Sequence, residues 1–261
     1  MRPRRRWVHV GHSFARGCAV LNKMFERLGV GGLKVETVVD NHEVRPGGQI
    51  TGNMIISGGA SEWNCDGLIV ELQTLCLVKM TDGETVPKMV VMANSAICPG
   101  RILPGSEQNM PFVIEVPLTT PVTGGVTRSV ITTRLDLEMA VDPTDHDPVT
   151  ILPTDEMKAV LDSVAAQGFR SCAADAQYQH QRSVPIRQDF DFRPTGELQS
   201  RIHELEVSFA QNNETVNVTL TVDRKLDNRG EREAFFTIMK GQTDPEAVSA
   251  AVKGAMVTLT R

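Results

Sequence analysis

Five carboxylates and a histidine fall within residues 134–153, RLDLEMAVDPTDHDPVTILP. Asp142, Asp145, His146 and Asp147 are the residue types that hold a divalent cation or activate water. A calcium loop needs about six to eight oxygens and a backbone that wraps the ion. This stretch has no glycine in the loop and no terminal glutamate at EF-hand spacing, and Pro143 and Pro148 stiffen it. Catalysis by paired carboxylates requires one buried acid with a raised pKa, and nothing local suggests burial. The expectation is therefore a polar turn. Asp142 accepts a local backbone hydrogen bond, and Pro143 presets the next φ. Asp142, Asp145 and Asp147 are expected to contact a second domain or a partner, so mutating them should alter partner affinity or domain geometry. A metal-dependent hydrolase using residues 142–147, with His146 or His180, is the alternative. Against it, a lone loop histidine lacks the positioned partner and pocket that catalysis needs.

The other reactive side chains form no constellation. Cys18, Cys65, Cys76, Cys98 and Cys172 lack the close spacings of a zinc site or a small disulfide scaffold. A reducing cytoplasm is the simplest setting for them. Cys76 lies in LIVELQTLCLV and reads as a small buried hydrophobe. His9, His12 and Cys18 have no fourth ligand nearby. None of the glycine-containing turns matches GxxxxGK[ST] or GxGxxG between a strand and a helix, so phosphate binding gains no support. No metal and no cofactor are expected.

The elements that position these residues follow from periodicity. A chain of 261 residues that is 41% hydrophobic and 23% charged buries a real core. The net charge of −5 provides no field to attract nucleic acid. From residue 34 the dominant period is two: Val35, Thr37 and Val39 share a face, as do Ile50, Gly52, Met54 and Ile56, and Phe112, Ile114 and Val116. Pro46, Gly47 and Gly48 mark a reversal between the first two runs. Leu135, Leu137, Met139 and Val141 form the apolar face of the strand that enters the acidic turn. TDEMKAVLDSVAAQGFR then reads as a helix, capped by Thr154 or Asp155 and stopped by Gly168, with Met157, Val160, Leu161 and Val164 as its stripe. Alternation resumes beyond it. Ile186, Phe190 and Phe192 oppose Arg187, Asp189 and Asp191; Leu205, Val207 and Phe209 align, as do Val216, Val218, Leu220 and Val222. This half reads as a second sandwich, closed by a helix with Asp244 as cap and Pro245 at its first position.

No apolar stretch approaches the roughly 20 residues that cross a bilayer. Residues 1–23 begin with a basic run, but His9, His12 and Arg16 interrupt any continuous apolar segment. They read as a disordered extension. A membrane-surface adaptor acting through Arg2, Arg4, Arg5 and Arg6 is a further alternative, though four charges without a long amphipathic face anchor weakly.

An ordered set of segments resembles a known family. MFERLGVGGLKVET, RPGGQITGNMIISGG, LIVELQT, LPGSEQNMPFVIEVPLTTPVT, LDLEMAVDPTDHDPV and ELEVSFAQ with VNVTLTVDRK are similar to the SpoOM sporulation-control proteins, bacterial relatives of the arrestins. The resemblance implies a mainly β, arrestin-like tandem of two antiparallel β-sandwich domains with a short linking helix, at 24–153 and 154–261. It also implies a non-enzymatic, regulatory or scaffold role in developmental or cell-division control. The partners expected are other proteins, with self-association into a homodimer by the same exposed strand edges. No nucleic acid and no membrane are expected among them.

Overall fold

The computed structural model describes residues 32–80, 83–137, 142–179, 185–224 and 231–260. The readings of residues 1–23, Met139, Val141 and His180 lie outside the described residues.

A three-stranded antiparallel sheet is built from β1 (Lys34–Val39), β3 (Gln49–Ser57) and β7 (Glu107–Glu115), with β3 in the middle. Its inward residues are the ones that alternation selects: Val35, Val39, Ile50, Met54, Ile56, Phe112 and Ile114 are all buried. Gly52 belongs to this face because nothing larger fits, since a Cβ there would lie 2.3 Å from the Val38 carbonyl oxygen. Between β1 and β3 runs the short β2 (Glu43–Val44), and Gly47 turns with φ 87°.

Facing this sheet is the first part of a much longer one. Its centre is β4 (Trp63–Lys79), whose Leu68, Val70 and Leu72 are fully buried. Each such side chain contributes about 1.5–3 kcal/mol as an upper figure. One edge of β4 pairs with β5 (Thr85–Ile97) and β6 (Gly100–Ile102). The other pairs with β8 (Ser129–Leu137), beyond which lies β9 (Thr144–Ile151). The first core thus runs from Leu33 to Ile151 between two sheets.

The sheet continues into the second half, where β10 (Phe169–Tyr178) pairs parallel to the end of β4. Then follow β11 (Ile186–Pro194), β12 (Ile202–Gln211), β13 (Thr215–Arg224) and β14 (Arg232–Met239), all antiparallel. Where alternation alone suggests a second pair of sheets, helices supply the facing layer. α1 (Asp155–Ala166) packs on β10, and α2 (Pro245–Thr260) packs on β13, β14 and α1. Val160 and Val164 of α1, and Val248 and Val252 of α2, meet Leu205, Val218 and Leu220 in this second core. Thr154 caps α1 by accepting from the Met157 N–H.

One expectation is corrected. Thr144-Asp145-His146-Asp147-Pro148 is not a turn: it forms the first part of β9, in register with β8 through Thr133 opposite Asp145 and Ile131 opposite Asp147. Proline is compatible with this strand because sheet pairing on its outer side resumes only beyond it, through β2 at Thr150 and Ile151. On β11, Asp189 and Asp191 are buried as well, at 4% and 5% exposure. An ion pair makes the burial of Asp189 tolerable, with Arg187 2.6 Å away.

The β7–β8 connection ties the two cores together. Its Val122 lies in the second core although its neighbours in sequence serve the first. The Gln188 side chain holds Val122 as a strand would: Val122 N–H donates to Oε1 at 2.7 Å, and Nε2 donates to the Val122 carbonyl at 2.7 Å and to the Ala174 carbonyl at 2.8 Å. On the other side, Thr123 exchanges hydrogen bonds with the Ile151 backbone.

Candidate functional site

The acidic residues of β9 face the seam between the two sheets of the first core. Because residues directly opposite in an antiparallel pair share a face, Asp145 and Asp147 point the same way as the fully buried Thr133 and Ile131. That direction leads to β1, which pairs only with β3 among the described strands. Asp145 takes the place of a strand partner: its Oδ2 accepts from the Thr37 backbone N–H at 2.6 Å. Below it the Thr37 hydroxyl donates to Thr133 Oγ1 at 2.7 Å, in a fully enclosed pair.

Asp147 is the less satisfied acid. Its Oδ2 is enclosed and has no hydrogen-bond partner. Burial first, then the neighbouring carboxylates Asp145 and Glu36, push its pKa up to about 6, while His42 pulls in the opposite direction. His42 is fixed beside β9, with Nδ1 3.2 Å from the Pro148 carbonyl and its own carbonyl accepting from the Thr150 N–H. The expectation that nothing buries a carboxylate here is therefore corrected. The closing of one sheet over the other encloses this side chain.

Asp142 stands apart from the pair. Its Oδ1 accepts from the Leu137 N–H at 3.3 Å, a bond back to the end of β8 rather than the forward turn bond expected of an aspartate before proline. His146 is on the opposite face of β9, where its Nδ1 lies 3.1 Å from the Thr132 hydroxyl. The strand thus separates the histidine from both seam acids, and a hydrolytic pairing of His146 with Asp145 or Asp147 is not assembled. Among the described residues no group of three or more His, Cys, Asp or Glu is placed to hold a metal ion. Surface depressions lie beside Gly196–Arg201 and along Pro245–Lys253, away from this seam.

Sequence reasoning selected Asp145 and Asp147 but missed Thr37, Thr133, Glu36 and His42. For Thr37 a signal exists: a polar residue at a core-facing position between Val35 and Val39.

The SpoOM protein family model matches residues 21–226, most of the chain and both cores up to β13. The chain belongs to the SpoOM protein family. It is 28% identical over 206 residues to the sporulation-control protein spo0M of Bacillus subtilis strain 168, a match that covers 78% of this chain and 80% of that protein. Its fold is similar to the crystal structure of Spo0M, sporulation control protein, from Bacillus subtilis, with a TM-score of 0.77 at 25% identity, over 87% of this chain and 98% of that one. The mainly β, arrestin-like class follows for this SpoOM member. No described helix is long and apolar enough to cross a membrane.

Proposed function

We propose that this chain is a non-enzymatic, cytoplasmic regulatory scaffold that acts by binding other proteins, in the developmental or cell-division control that its family name suggests. The observation that carries the reading is the likeness to a sporulation-control protein across nearly all of that protein's length, 98% of the solved chain. The site agrees with it: among the described residues the carboxyl with a strongly raised pKa, Asp147, lies beside Asp145, His42 and Glu36 rather than beside a serine or cysteine nucleophile. In this reading the two halves, 24–153 and 154–261, each keep their own core along a shared sheet and present sheet edges, and peptides add to such edges as further strands. Asp145 and Asp147 influence partner affinity by fixing how β9 meets β1, and Asp142 by tying the entry to β9 onto β8.

Crosslinking of the full chain in its native host, followed by identification of captured proteins, tests the reading. A reproducible partner whose capture falls with Asp145→Ala supports it. Turnover in a hydrolase panel that Asp147→Asn abolishes overturns it.

A further inference from the structure

The two sheets of the first core meet between β1 and β9 through polar side chains, where a ladder of backbone bonds would join two strands of one sheet. β1 is held to β3 along its whole length, from Lys34 opposite Ser57 to Val39 opposite Gly52. Just past its end the Asp40 N–H donates to the Thr51 carbonyl of β3, whereas the Thr37 N–H turns the other way, to Asp145. Successive residues alternate, so the amides of Glu36 and Val38 point to β3 and those of Val35, Thr37 and Val39 point to the seam. Across the seam Asp145 Oδ2 lies 2.6 Å from the Thr37 nitrogen, and the Thr37 hydroxyl meets Thr133 at 2.7 Å. His42 stands 3.2 Å from the Pro148 carbonyl, and β2 then joins β9 at Thr150 and Ile151.

Asp145 is the centre of this closure, and both of its oxygens are engaged: Oδ2 by the Thr37 N–H and Oδ1 by the His146 N–H at 2.9 Å. Asp147, two residues on and on the same face, shares a hydrogen bond with the Asp145 side chain. Between two carboxyl groups such a bond exists only while one of them carries a proton. No donor reaches the enclosed Asp147 Oδ2 to reward ionisation. The charged groups that face Asp147 are Asp145 from its own strand, Glu36 from β1 and His42 from the connection between β1 and β2, while β8 presents Ile131 directly opposite. Two of those three are acids. A negative charge on Asp147 therefore repels the same carboxylate that holds Thr37, and His42 is the group that opposes it.

We propose that the β1–β9 seam is a proton-operated latch: loss of the proton from Asp147 drives Asp145 off the Thr37 N–H and opens the seam locally, baring the outer edge of β1. This goes beyond the scaffold reading and does not depend on it. The opening is local because the β1–β3 ladder does not pass through Asp145, and the second core lies apart from the seam. Protonation keeps the edge covered, with Asp145 standing in for a strand partner. Ionisation offers that edge, whose backbone groups are then open to pairing.

Amide hydrogen exchange of the full chain, read residue by residue by NMR from pH 4.5 to pH 8 and corrected for the intrinsic pH dependence of exchange, tests the latch. Protection at Thr37 should fall about tenfold between pH 5 and pH 7.5 and level off above about 6, as follows for a group of pKa about 6 in the closed seam and 3.8 in the open one. The amides of Glu36 and Val38, bonded to β3, should show no such fall. Asp147→Asn should make Thr37 protection flat across the range, and His42→Gln should keep the fall. Protection at Thr37 that ignores pH, a fall shared equally by Glu36 and Val38, or a fall that survives Asp147→Asn overturns the proposal. Loss of the fall in His42→Gln assigns the switch to the histidine and overturns it too. Should Asp147→Asn not fold, the natural chain still decides, because a fall that continues past pH 7 belongs to another group. Capture of other proteins is a separate measurement, so the scaffold reading stands or falls independently.

Discussion

Asp145 completes the unpaired side of β1: its carboxylate accepts from the Thr37 N–H at 2.6 Å, across 108 residues of sequence. Removing it leaves a nearly buried backbone donor without a partner. Asp145→Ala is expected to cost about 1–3 kcal/mol, the penalty for an orphaned enclosed donor. Asp145→Asn keeps an acceptor and should lose less. Urea unfolding at pH 7.5 of the three proteins checks the order.

Asp147 makes stability depend on pH. Its folded pKa of about 6 lies above the ordinary 3.8, so the folded state holds the proton more tightly than the unfolded chain. The resulting stabilisation is fully present below the ordinary value and is lost as pH rises through about 6. Asp147→Asn removes the charge. Because the group is only partly buried, the variant should gain on the order of 1 kcal/mol over the natural protein at pH 7.5 after allowance for solvent screening. That advantage should shrink toward pH 4.5. Paired urea titrations at the two pH values decide it, and equal differences at both would contradict the assignment.

The buried hydroxyl pair Thr37–Thr133 predicts non-additivity. Thr37→Val alone strands a partner and should cost about 1–2 kcal/mol, whereas Thr37→Val with Thr133→Val replaces both polar groups and should cost less than the two single changes together. A double-mutant cycle by thermal or urea unfolding measures the coupling.

Gln188 couples the two cores through three hydrogen bonds to Val122 and Ala174. Gln188→Leu should lower stability by about 2–4 kcal/mol, since backbone groups on the β7–β8 connection lose their partners. It should also broaden the unfolding transition or divide it in two, because cooperativity between the cores passes through this connection. Calorimetry of the variant, compared with the natural chain, provides the readout.

Much of the architecture was legible in the residues. Ile50, Met54 and Ile56, or Val216, Val218, Leu220 and Val222, announce strands because alternation is a property of a few neighbouring residues and the pleat. Thr154 and Gly168 mark the ends of α1 for equally local reasons, as cap and as a turn residue with φ 88°. The boundary of β9 was misread because Asp-Pro and a run of polar residues are common in turns, while here β8 supplies hydrogen-bonding partners that override the local preference. The helical layer over β10–β14 was hidden for a related reason: α1 and α2 are visible singly, but which sheet face they cover depends on how the chain returns.

The sequence by itself determined β1, β3, β7, β8, β11, β12 and β13, the two helices and the family, since each rests on short-range pattern or on ordered segments. Tertiary structure alone decided that Asp145 and Asp147 turn inward while His146 turns out, and that Thr37 is what they meet. The physical reason is that ionisation and hydrogen bonding depend on what surrounds a group. For these acids the surroundings come from strands up to 108 residues away, joined only when one sheet closes over the other.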